Sequence, residues 1–216
     1  MIPLSAWAGT LALLRRAILT MGTTFFLGFG LFTQRLLPHR LSAVASRAYF
    51  YPTLPLTYAR LTLLPPHAGL WTEVDDHVVV GAAPCAWLRH PERLHALGVR
   101  AVVNLCAEYA GPVEAYERLG VEQLRLPTVD HVEPSVADLR AAVDFIRRAS
   151  RRGKVLVHCK AGHGRSAAVA YAWLLKKNLG KVAPFEVYEG LAAKRGVRKN
   201  LWRQPNLLRY YDQIKG

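Results

Sequence analysis

From Leu70 onward, short β-branched runs alternate with segments whose apolar residues recur at helical spacing. "HVVVG" (77–81) and "RAVVNLC" (100–106) stop at a glycine or a polar residue and predict strands. "GPVEAYERLG" (111–120) predicts a short helix closed by Gly120, and "VEQLRLP" (121–127) a further strand. In "EPSVADLRAAVDFIRRASRRG", Val136, Leu139, Val143 and Ile146 recur at helical spacing. Pro134, Ser135 and Asp138 make a helix start there, and arginines with Gly153 make its end. "KVLVH" (154–158) reads as a buried strand, and residues 166–178, 184–195 and 204–214 as helices. This alternation predicts an α/β fold with a central, mainly parallel sheet flanked by helices. In such sheets ligands bind beyond the carboxyl ends of the strands.

The chain before Leu70 has another character. No Asp or Glu precedes Glu73, whereas six arginines do (15, 16, 35, 40, 47 and 60). Ala17 to Gln34 is an uncharged run of 18 residues between Arg15-Arg16 and Arg35. As a helix it just spans a hydrocarbon core. The arginines that follow place the later part on the cytosolic or matrix side. An Arg-rich organelle-targeting segment, mitochondrial for example, is the second reading, and a buried or membrane-surface helix the third. Glycines 22, 28 and 30 weaken any helix there. "AVAS" (43–46) mimics a signal-cleavage site but lies too far beyond the apolar run for secretion. Tyr49 to Pro66, with Pro52, Pro55, Pro65 and Pro66, reads as an irregular connector. The expected organisation is an anchor or targeting segment (1–48), a linker (49–69) and a catalytic domain (70–216).

Charge narrows the partners. The 216 residues hold 29 Lys and Arg against 15 Asp and Glu, a formal net charge of +14. Such a chain favours anionic partners. Zinc-finger spacing, a basic zipper and an RNA-recognition signature are all missing, so nucleic acid is not expected. Three cysteines, at 85, 106 and 159, make neither a disulfide framework nor a zinc site. They point to a reducing compartment.

The chemistry concentrates in "HCKAGHGRS" (158–166), between a strand and a helix. Cys159 and Arg165 are separated by five residues. A loop rising into a helix turns free N–H groups inward, and the helix dipole adds positive potential. Gly162 and Gly164 permit the turns that converge those amides. Arg165 offers a planar fork for two phosphate oxygens. The same field favours a thiolate at Cys159, and Ser166 can donate to the sulfur. The nucleotide-binding P-loop is excluded, because it ends in Gly-Lys-Ser/Thr. Asp130, between a strand and the next helix in "LPTVDHVEPS", is positioned to protonate a leaving oxygen. Glu133 is the alternative, and His131 reads as a surface residue. Cys85 and Cys106 read as packing residues.

"HCKAGHGRS" resembles the signature loop of cysteine-dependent dual-specificity phosphatases. "WTEVDDHVVVGAAP", "GVEQLRLPTVDHVEPS" and "VRKNLWRQPN" look like the mitochondrial branch that dephosphorylates phosphatidylglycerophosphate. The resemblance implies Cys159 as nucleophile, Asp130 as general acid and Arg165 as phosphate clamp. Lys160, Ala161, Gly162, His163 and Gly164 would supply loop amides, Ser166 would serve the sulfur, and His158 would tune the cysteine through hydrogen bonding. The branch braces its site with an "EEYE" loop; here "CAEYAG" keeps Glu108-Tyr109, which implies bracing by Glu108. His163-Gly164 replaces the branch's usual Arg-Ser. "HCKAG-x-GR" also resembles the loop of phosphoinositide 3-phosphatases. The implied activity is phosphomonoester hydrolysis through a cysteinyl-phosphate, with no metal or other cofactor. The expected substrate is an anionic phospholipid such as phosphatidylglycerophosphate. Phosphoinositides or phosphoproteins are the alternatives, and a non-catalytic phosphate-binding module the remaining one. Membrane contact is expected through residues 17–34.

Overall fold

The computed structural model describes residues 4–34, 36–64 and 69–216. Arg35, Pro65 and Pro66, which the readings above used, lie outside the described residues. Contacts divide the chain into two units, Met1–Tyr49 and Phe50–Gly216.

In the first unit, α1 (Leu4–Thr33) is helical through all three glycines and is followed by the start of α2 (His39–Leu63). Tyr49 sits edge-on to Phe25 and Phe29, with ring centroids 4.9 and 5.3 Å away, and donates its hydroxyl to the Phe25 carbonyl at 3.2 Å. A side chain at Gly28 would collide with that hydroxyl, so the glycine makes room for the ring.

The second unit begins inside α2 and corrects the connector reading. The chain is helical through Pro52 and Pro55 up to Leu63. Proline removes a donor and usually ends a helix. Here the turns around both prolines are fixed by packing, because Phe50 and Leu54 belong to the main core and Leu61 is 1% exposed. Tyr58 donates to the Ala83 carbonyl at 2.6 Å.

The sheet contains β1 (Trp71–Glu73), β2 (Val78–Gly81), β3 (Val99–Cys106), β4 (Glu122–Thr128) and β5 (Lys154–His158). Their order is β1-β2-β5-β3-β4. Only the β1–β2 pair is antiparallel among the described pairs, so the sheet is mainly parallel as expected. The central strands are mostly apolar because helices cover both faces. Val79, Val102 and Leu156 face α3 (His90–Ala96) and α4 (Val113–Arg118), meeting Leu94 and Tyr116. Val78, Val80, Val103, Val155 and Val157 face the other way. There they meet α5 (Val136–Ala149), α6 (Arg165–Lys177), α7 (Pro184–Lys194) and α8 (Pro205–Lys215). α5 starts with a full capping box: Ser135 Oγ accepts from the Asp138 amide at 3.1 Å, and the Asp138 carboxylate accepts from the Ser135 amide. β5 lies in the middle of the sheet, so its carboxyl end delivers Cys159 to the centre of that edge.

Candidate active site

At His158 the last strand stops, and the chain turns through residues 159–164 straight into α6. Gly162 has φ +82°, a conformation that favours glycine. Gly164 answers a different need: a side chain there would meet the Arg198 guanidinium at 2.9–3.1 Å.

Cys159 Sγ lies at the floor of this turn, 4% exposed. It accepts the Gly162 N–H and the Ser166 hydroxyl, each at 3.3 Å. Burial pushes the thiol pKa up, but the Arg165 charge and the hydrogen bonds from Ser166 outweigh it, so the net shift is downward. A thiol whose pKa is held down despite burial is chemically suited to act as a nucleophile.

Arg165 is the hub. Its fork meets Glu108 in a bidentate pair, Nη1 to Oε2 at 2.9 Å and Nη2 to Oε1 at 2.7 Å. Both side chains are 1% exposed. Nη1 also donates to the Thr128 carbonyl at 2.7 Å, and Nη2 stands 3.0 Å from Asp130 Oδ1. Nε is buried with no partner among the described residues. Asp130 occupies the turn after β4 and accepts the His131 N–H at 2.9 Å. Burial raises its pKa, while Arg165 first and His131 second pull it down further, leaving the carboxyl below its ordinary value.

Ser166 thus bonds Cys159, Glu108 and Asp130 flank Arg165, and the Arg165 charge acts on Cys159. Glu133, the alternative acid, instead accepts the Asn206 N–H at 3.3 Å at the start of α8. The His158 ring is fully buried, and its Nδ1 is 3.4 Å from the Cys159 carbonyl. The ring thus meets Cys159 through its backbone carbonyl. Burial brings its pKa down to about 3, so the ring is neutral. Lys160 reaches Thr53 Oγ1 at 2.5 Å and lies 5.6 Å from the Phe50 ring centre. Phe50 in turn stacks on Tyr109, 4.9 Å between centroids, and Tyr109 donates to the Pro84 carbonyl at 2.6 Å. His163 Nδ1 bonds the Gly196 carbonyl. Cys85 and Cys106 are free and buried.

Sequence reading missed Arg195, which is 1% exposed and bonds the carbonyls of Ala161 and Gly162. Its setting, "AAKRGVRKN", is one basic cluster among several and carries no motif. The wall formed by Phe50 and Thr53 was missed because prolines masked its helix.

The family model of the dual specificity phosphatase catalytic domain matches residues 80–213, which contain Cys159, Arg165 and Asp130. The chain belongs to this family. It is a cysteine-dependent phosphatase. It is 35% identical over 151 residues to phosphatidylglycerophosphate phosphatase PTPMT2 of Arabidopsis thaliana, covering 68% of this chain and 65% of that one. It is 35% identical over 178 residues to the Mus musculus phosphatidylglycerophosphatase and protein-tyrosine phosphatase 1, covering 78% and 88%. A crystal structure of PTPMT1 in complex with PI(5)P superimposes with a TM-score of 0.56 at 27% identity, covering 67% of this chain and 96% of that one.

Proposed function

We propose that this dual specificity phosphatase hydrolyses the phosphomonoester of an anionic phospholipid, phosphatidylglycerophosphate first, through a cysteinyl-phosphate. The observation that carries the mechanism is Cys159 Sγ, buried beneath inward-turned donors and 7 positions before the serine that hydrogen-bonds it. The Cys159 thiolate attacks phosphorus in line. Loop amides of Lys160, Ala161, Gly162, His163 and Gly164, with Arg165, hold the equatorial oxygens. The unpartnered Nε of Arg165 is free to take one of them. Asp130 protonates the departing oxygen and then, as carboxylate, activates the water that releases phosphate. Ser166 steadies the thiolate when it leaves.

The Asp130–Arg165 pair gives the acid a conditional character. At rest the carboxyl is ionised against the guanidinium. An arriving phosphate dianion takes over the guanidinium and repels the carboxylate, which raises the proton affinity of Asp130 when a proton is needed. Glu108 keeps the guanidinium in place during the exchange.

The lipid assignment is supported by the names of the plant and mouse relatives and by the long apolar helix. Arg15–Thr33 has a mean hydropathy of 1.2, sufficient to cross a membrane, and Leu19, Met21, Phe26 and Leu27 are exposed on it. In this reading the segment holds the enzyme at a membrane, with the catalytic unit on the cytosolic or mitochondrial-matrix side. The PTPMT1 complex with PI(5)P favours phosphoinositides as the second reading.

The test measures phosphate release by the full chain from vesicles carrying phosphatidylglycerophosphate, from vesicles carrying phosphoinositides, and from a phosphotyrosine peptide. Cys159→Ser serves as control and should lose turnover while still binding phosphate. Fast peptide cleavage with both lipids ignored refutes the lipid reading, and turnover by Cys159→Ser refutes the mechanism.

A further inference from the structure

A trans peptide carries its C=O and the next N–H on opposite sides. Fastening a carbonyl outward therefore turns the following amide inward, and the phosphate loop is built this way plane by plane. The Lys160 carbonyl accepts from the Ala83 amide at 3.2 Å, and that of His163 from the Arg198 amide at 3.2 Å. The Gly164 carbonyl accepts the Ala168 N–H at 2.9 Å. The two planes in the middle are fastened by one side chain. Arg195 donates Nη2 to the Ala161 carbonyl at 3.0 Å and Nε to the Gly162 carbonyl at 3.1 Å. Its other side is taken by Thr72 Oγ1 at 2.9 Å, with the Gly69 and Leu70 carbonyls at 3.4 and 3.5 Å.

The contact is close. A side chain at Gly162 would meet Arg195 Nη2 at 2.5 Å. Arg195 is also chemically unusual, because no carboxylate pairs with it among the described residues and its acceptors are neutral oxygens. Burying an arginine that way is expensive, and packing alone would be served better by an apolar side chain. Burial lowers its pKa to about 10, opposed by the negative charge of Cys159, so it remains a cation at neutral pH.

We propose that Arg195 is a positioning residue for phosphoryl transfer: it turns the Gly162 and His163 amides toward the phosphoryl oxygens and adds a second fixed positive charge behind Cys159. The Gly162 N–H, governed by the Ala161 plane, already points at Sγ. This inference rests on the reading of Cys159 as the phosphoryl acceptor.

The test compares wild-type full chain with Arg195→Met and Arg195→Lys, by two readouts that need no lipid. The first is the pH dependence of iodoacetamide alkylation at Cys159, followed on its own peptide. The second is the inhibition constant of inorganic phosphate against a small aryl phosphate. In folded Arg195→Met the alkylation midpoint should rise by roughly one pH unit, and phosphate inhibition should weaken about 10- to 100-fold. Arg195→Lys should restore the midpoint, which needs only charge, and leave phosphate inhibition weak, which needs the fork. A folded Arg195→Met with both readouts unchanged overturns the proposal, however far its melting temperature falls. Should Arg195→Met not fold, Arg195→Lys with unchanged phosphate inhibition overturns it equally. A wrong lipid assignment leaves both readouts intact, whereas alkylation of Cys159 like an ordinary thiol in the wild type refutes the acceptor reading itself.

Discussion

Two buried arginines flank the same loop and are held by opposite means. Arg165, on the inner side, stands within 3.0 Å of two carboxylates, Glu108 and Asp130. Arg195, on the outer side, touches carbonyls and a hydroxyl. A guanidinium with an ionic partner can trade that partner for another anion. One fastened to neutral oxygens cannot, because letting go would strand a charge in the interior. The inner arginine is thus suited to exchange Asp130 for substrate, and the outer one to keep the loop's shape while that happens.

The comparison breaks most visibly at Asp130. Asp130→Asn retains shape and hydrogen bonding but offers no proton. It should slow hydrolysis of alkyl phosphates by about 10²–10⁴-fold, and that of aryl phosphates, whose leaving groups depart unaided, much less. Parallel assays on glycerol phosphate and p-nitrophenyl phosphate decide this; equal losses would remove the acid role. Next is Arg165→Lys, which keeps the charge and loses the fork. A fall in kcat/KM of about 10²–10³-fold is expected, with Cys159 alkylation still favoured at low pH. Glu108→Gln should act mainly on stability, costing about 3 kcal/mol in denaturant unfolding because a buried arginine loses its main counter-ion. If stability is unchanged, Glu108 is not the brace. The smallest effect concerns pH. Asp130 has a depressed folded pKa, so its stabilisation is complete above its unfolded value of about 3.9 and is lost as pH falls through the folded value. The melting-temperature gap between wild type and Asp130→Asn should stay constant from pH 7 to about 5 and close below about 4.

Much of this arrangement was readable from the chain. The central strands announced themselves because burial on both faces selects β-branched apolar residues, and α5 because Ser135 and Asp138 cap it. Cys159, Arg165 and Ser166 share one short stretch, and local spacing carries their geometry. Asp130 could be placed by topology, since turns after parallel strands gather at one edge. Glu108 was reached only through family resemblance, as nothing local says which arginine it meets. Arg195 was invisible because its partners come from 33 to 126 positions away in sequence. The strand β1, three residues long, is too short to show alternation. α2 was hidden by Pro52 and Pro55, whose local preference is overridden by the packing of Phe50 and Leu54.

The second half of α2 has a practical bearing on how the enzyme is made in the laboratory. Trimming away the greasy N-terminus at residue 70, just ahead of the first acidic residue, Glu73, would also discard Phe50, Thr53 and Tyr58, which contact Lys160, Tyr109 and the Ala83 turn. A soluble fragment meant to keep native turnover should start ahead of Phe50, since the shorter one would expose a freshly opened apolar flank beside its own reaction centre.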